Sequence, residues 1–97
     1  MTSPTRSAQE ILQDQFKITS ELSLLTGEYH RLLQRQGAAA FERQMREDGP
    51  AAALAEAEAL EAEAREASEA CDDKIRALED RLAALGRELA ALPKEGR

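Results

Sequence analysis

Between Cys71 and Leu92 the apolar residues fall at Cys71, Ile75, Leu78, Leu82, Leu85, Leu89 and Leu92, in alternating steps of four and three. This heptad seam places Ile75, Leu82 and Leu89 at a and Cys71, Leu78, Leu85 and Leu92 at d. No strand has this period. A chain carrying it must fold as a helix that packs a narrow stripe against another helix.

The apolar inventory points the same way. Alanine (19) and leucine (13) dominate, valine is absent, and the only aromatics are Phe16, Tyr29 and Phe41. Strong helix formers abound and sheet formers are nearly missing, so the expected class is all-α. At 97 residues the chain makes one domain at most. Alanine buries little area, and at roughly 25 cal/mol per Å² such a chain is marginally stable alone. Self-association or a protein partner is expected.

The first six residues read as a disordered lead, although Pro4 suits a first helical turn. Ser7-Ala8-Gln9-Glu10 has the capping-box pattern and is followed at once by Ile11 and Leu12, which marks the better helix start. From there the seam Ile11, Gln15, Ile18, Leu22, Leu25, Tyr29, Leu32 and Gln36 predicts helix 1 over about 7–47. Gly27 and Gly37 each cost about 1 kcal/mol relative to alanine in a helix interior. Beyond Gly37 the residues Ala38, Phe41 and Met45 suggest a shifted stripe, hence a bend or stutter there, with a full break into three helices as the alternative.

Asp48-Gly49-Pro50 is the clearest punctuation. Gly49 is expected to end helix 1 in the left-handed conformation, with Pro50 opening helix 2. A turn confined to 48–50 makes the helices antiparallel neighbours. Helix 2 is expected over about 50–92. Its alanine-rich first half extends the seam through Leu54, Ala57, Glu61, Ala64 and Ser68, and Pro93 stops it before a tail over 93–97. Folding about Gly49 brings together residues whose numbers sum to about 98. Phe41 then faces Ala57, Met45 faces Ala53, and Ile11, Phe16, Ile18 and Leu22 face the leucine seam. The hairpin has a thin alanine end and a thick leucine end, where contacts with another copy or a partner are expected to concentrate.

The functional candidates follow from this frame. Leu12, Leu24 and Leu33 flank the seam of helix 1 and, with Phe16, are the expected partner-facing residues; Leu78, Leu82, Leu85 and Leu89 supply the leucine side. A single hairpin leaves Leu60 hard to cover too, and a bundle of two hairpins would cover more of this surplus. Glu61 occupies an a position, and a contact with Arg35 is expected to fix register. Cys71 at d reads as a small buried hydrophobe, with a disulfide between parallel copies or a redox-sensitive thiol as the rival reading. The eight carboxylates from Glu56 to Asp73 read as a solvated face rather than a mimic of nucleic acid.

Other classes lack their residues. His30 stands three residues after Gly27, not after the glutamate of a bundle di-metal site, so no metal is expected. There is no phosphate-binding glycine loop, no H-E-x-x-H and no triad spacing, so no catalysis, cofactor or small-molecule substrate is expected. The net charge of −6 disfavours nucleic acid and anionic membranes as partners. Residues 1–20 hold no signal-peptide core and no apolar run is long enough to span a bilayer, so the expected location is cytoplasmic. In length and hairpin shape alone the chain is similar to small hairpin assembly factors such as secretion-system chaperones. The expected function is that of a coiled-coil structural or adaptor protein mediating protein–protein assembly; the alternative is a small helical chaperone or inhibitor that binds a partner's helix.

Overall fold

The computed structural model describes residues 6–93 and contains two helices, α1 (Ala8–Met45) and α2 (Ala51–Ala90), folded against each other as a long antiparallel hairpin. The lead before Arg6 and the tail after Pro93 lie outside the described residues.

The start of α1 follows from its capping box. The Ser7 hydroxyl accepts the Glu10 N–H at 3.1 Å, and the Glu10 carboxylate accepts the Ser7 N–H at 2.9 Å. Two otherwise orphaned donors are satisfied, and these bonds hold the Glu10 carboxyl below its ordinary pKa. Ser7→Ala should therefore lower stability by about 1 kcal/mol, read as a fall of roughly 4–8 °C in the thermal midpoint followed by circular dichroism. Arg6, expected in the disordered lead, instead bridges Asp14 at 2.7 Å and Glu88 at 2.6 Å and ties the chain's start to the end of α2.

The turn differs from expectation in one respect. Gly49 is not left-handed. Residues 46–48 continue as right-handed turns, with Arg46, Glu47 and Gly49 donating to the carbonyls of Arg43, Gln44 and Arg46. These i→i−3 bonds satisfy the last carbonyls of α1 without an αL residue. Pro50 stands one residue before α2 as its N-cap, with φ −59° and ψ 141°. At the other end Ala91 donates to Arg87 and Glu88 carbonyls, Leu92 to Leu89, and Pro93 has no N–H to carry the ladder on.

Both seams turn inward as their spacing predicts. Ile11, Ile18, Leu78 and Leu85 are buried as one core cluster, with Leu22, Leu25, Leu82, Leu89 and Leu92 packed against it. Ala57, Ala64, Ser68 and Cys71 form the buried strip of the thin half. The thick and thin ends are therefore real.

At Gly37 the expected phase change is absent, and so is the alternative of a full break. The helix is continuous, and the steps of four and three carry on through half-buried Ala39 to partly buried Arg43. Phe41 and Met45 do not face Ala57 and Ala53; they point outward, 62% and 66% exposed. The reason is that an unbroken α-helix keeps its rotation, so what lies opposite α2 is set by period and not by size. Phe16 fails for the same reason. It follows the seam residue Gln15 by one position, about 100° around the helix, and is 73% exposed.

Candidate interaction surface

The thin half is held by polar pairs inside the seam. Glu61 is the seam carboxylate, but its partner is Arg43, at 2.6 Å, and not Arg35. Arg35 reaches Glu63 at 3.6 Å with both side chains more than half exposed, which is worth little to stability. The correction has a geometric cause. Arg43 lies on the continued seam and points across at α2, whereas Arg35 precedes the seam residue Gln36 and leans to the flank. Glu61 and, less strongly, Glu47 raise the Arg43 guanidinium pKa. One heptad further along, the buried Ser68 hydroxyl donates to Gln36 Oε1 at 2.7 Å and is shared with the Arg65 carbonyl at 2.9 Å. Among the described residues no buried side-chain nitrogen or oxygen lacks a partner, so these polar pairs cost the seam no orphaned group.

Cys71 is buried and free, and its thiol donates to the Leu25 carbonyl at 3.6 Å. Burial, then the nearby Glu28 carboxylate, pushes its pKa up. A protonated buried thiol is a poor nucleophile. Cys71 should react with a disulfide reagent at least tenfold more slowly in the native protein than in denaturant, which a colorimetric thiol assay reads. Because the folded value is raised, its contribution to stability is full below the ordinary thiol pKa of about 8.5 and is lost as pH climbs through the raised value.

The candidate interface residues divide into two sets. Leu78 and Leu85 are buried against α1, with Leu82 and Leu89 beside them, so they build the hairpin and leave little surface for a second molecule. Leu12, Phe16, Leu24 and Leu33 remain outside, 52%, 73%, 76% and 41% exposed. Leu24 stands apart from the other three. It lies in an open groove between the helices whose rim carries Glu21, Lys74 and Arg81. Leu60 sits likewise beside Glu42, Arg46 and Glu56. Leu12 and Phe16 share a groove on the other side of α1.

The arrangement of charge on α1 makes that side distinctive. α1 carries nine Asp, Glu, Lys and Arg residues. Asp14, Glu21, Glu28, Arg35 and Glu42 recur every seven residues, Glu10, Lys17 and Arg31 lie in the adjacent row, and Arg43 is in the seam. At 3.6 residues per turn all nine fall within roughly 120° of arc. The opposite flank and outer face carry no charged residue along the whole helix. There stand Leu12, Phe16, Leu33 and Phe41, separated by Thr19, Ser23, Thr26, Gly27, His30 and Gly37. α2 shows no such division, since its 16 charged residues appear on every outward row. Phe41 was not expected on this face. The signal that reveals it is the distribution of charge relative to the seam, not the width of the apolar stripe.

Among the described residues no group of His, Cys, Asp and Glu could hold a metal ion, and no helix is long and apolar enough to cross a membrane. Compared with protein-family models, curated proteins and solved structures, the chain matches none, so the geometry of the hairpin alone carries its functional reading.

Proposed function

We propose that this chain is a non-enzymatic assembly protein, an adaptor or scaffold whose α2 acts as a charged strut and whose α1 presents its uncharged outer face to a partner helix. The supporting observation is the confinement of nine charges to one arc of α1, which leaves large apolar side chains exposed among small uncharged ones. A solvated face of a long helix ordinarily carries charges among its polar residues. A face without them along 38 residues is suited to being covered. The partner is a protein helix; the net charge of −6 suits neither nucleic acid nor an anionic membrane. A single buried thiol suits a reducing compartment, and the cytoplasm is the proposed location.

The test is to place a carboxylate on that face. Phe16→Asp combined with Phe41→Asp should abolish assembly while leaving helicity intact, and assembly that survives this pair sinks the proposal. A loosely folded monomer that becomes well ordered only with a second protein would identify a chaperone or inhibitor instead, using the same face.

A further inference from the structure

We infer that the helix covering this face is α1 of a second copy, packed antiparallel with a two-fold axis between Thr26 and Gly27. The inference rests on the reading of the outer face of α1 as a docking surface and adds the occupant.

The central row of the face is Gln9, Phe16, Ser23, His30, Gly37 and Gln44, at intervals of seven. Running the same row backwards against itself sets Phe16 on Gly37, Ser23 on His30 and Gln9 on Gln44. Each large side chain meets a small one, and the end pair is amide on amide. The two-fold also sets each flanking row against itself, with Leu12 near Ala40, Leu33 near Thr19 and Phe41 near Gln13. A two-fold interface requires this self-complementarity, because every contact occurs twice with the roles exchanged. A parallel arrangement would stack Phe16 on Phe16 and leave Gly37 facing Gly37.

Gly37 supplies a second observation. Glycine inside a helix is destabilising relative to alanine. A side chain built at Gly37 would meet nothing within 4 Å, so packing in the hairpin gives no reason for the gap. Gly27, beside the proposed axis, is approached only by the flexible Arg31 side chain at 3.8 Å. Both glycines gain a reason if another helix comes close there, with the Phe16 ring of the second copy lying over Gly37.

Area and charge favour the same occupant. A helix of 38 residues is about 57 Å long. A strip roughly 10 Å wide along it gives on the order of 1,100 Å² over two copies, enough for a specific interface. Two copies of an acidic chain repel wherever their charges meet. Here the acidic residues of α1 lie to the other side, and the side chains that reach the edge of the contact, Lys17 and Arg31, are basic, so on this face of α1 a second copy meets no carboxylate.

Cross-linking in the full chain tests the pairing. In a Cys71→Ser background, with Cys71→Ala as the substitute should that background unfold, Thr26→Cys is expected to form a covalent dimer with a short bismaleimide. Gln9→Cys should link to Gln44→Cys in a mixed sample but not to itself, because antiparallel pairing holds two Gln9 positions about 50 Å apart. The parent protein should sediment as a dimer at micromolar concentration, and Phe16→Asp should weaken that dimer at least 100-fold. Self-linkage of Gln9→Cys overturns the pairing. A protein that stays monomeric at 100 µM overturns the second copy as occupant but leaves the docking face for a different helix. A dimer indifferent to Phe16→Asp overturns both the pairing and the reading beneath it.

Discussion

Ile18→Ala is expected to destabilise the hairpin by about 2–5 kcal/mol, a large share of the roughly 5–15 kcal/mol that holds a domain of this size together. Ile18 is 2% exposed and lies in the cluster with Ile11, Leu78 and Leu85. Truncation removes buried methylene groups and leaves a cavity that two long, stiff helices close only by bending, so both the transfer and the cavity contributions are felt. The same change two positions away gives the control. Phe16→Ala removes a larger side chain from a 73% exposed site and should alter the stability of the isolated hairpin by no more than about 0.5 kcal/mol. Urea titration at low protein concentration separates the two. If Phe16→Ala proved the more damaging, the rotation of α1 about its own axis described here would be wrong.

Phe16→Asp with Phe41→Asp should have the reverse profile, with helix content and dilute-solution stability preserved and assembly lost. Both rings stand on the uncharged side of α1. A carboxylate introduced there is well hydrated while the hairpin is alone. Covered by another helix, it loses that hydration, and no basic residue stands in the row of either ring; Lys17, which lines the groove beside Phe16, offsets only part of the cost at that one site. A penalty of about 3 kcal/mol corresponds to more than 100-fold in affinity. Sites such as Leu24 and Leu60, which already have charged neighbours, should tolerate the same substitution with little change.

What the sequence disclosed readily was what periodicity encodes. The leucine seam from Cys71 to Leu92, the Ser7–Glu10 capping box and the turn near Gly49 are local patterns, and each appears where its pattern places it. Helical period, not apolarity, decides which residues of α1 face α2. Phe41 and Met45 looked like core because they are large and lie close to alanines in the folded register. Arg43 takes a seam position, where a paired carboxylate across from it accommodates arginine well. Once α1 runs unbroken through Gly37, the period sends Phe41 outward and Arg43 inward, and Glu61 takes Arg43 instead of Arg35. Gly49 was assigned a left-handed role that the tight right-handed bonds of residues 46–49 make unnecessary. The uncharged face of α1 was present in the sequence all along. It becomes visible only when the seam fixes which way each row of the helix points, since charge content alone does not distinguish one flank from another.

The role of the seam in the leucine half also becomes clearer. Leu82 and Leu85 are part of the hairpin's own packing, so changing them tests folding before it tests association. On the proposed reading, contacts with another molecule fall on the far side of α1 and are spread along its length.

Sedimentation velocity of the parent protein beside Phe16→Asp/Phe41→Asp and Leu24→Asp/Leu60→Asp, each at about 5–100 µM and each checked for helicity, decides whether the uncharged face of α1 carries assembly. The parent is expected to assemble, the Phe pair to sediment as a folded monomer and the Leu pair to behave like the parent. Assembly that persists in the Phe pair but is lost in the Leu pair would contradict this and move the interaction surface to the charged flank.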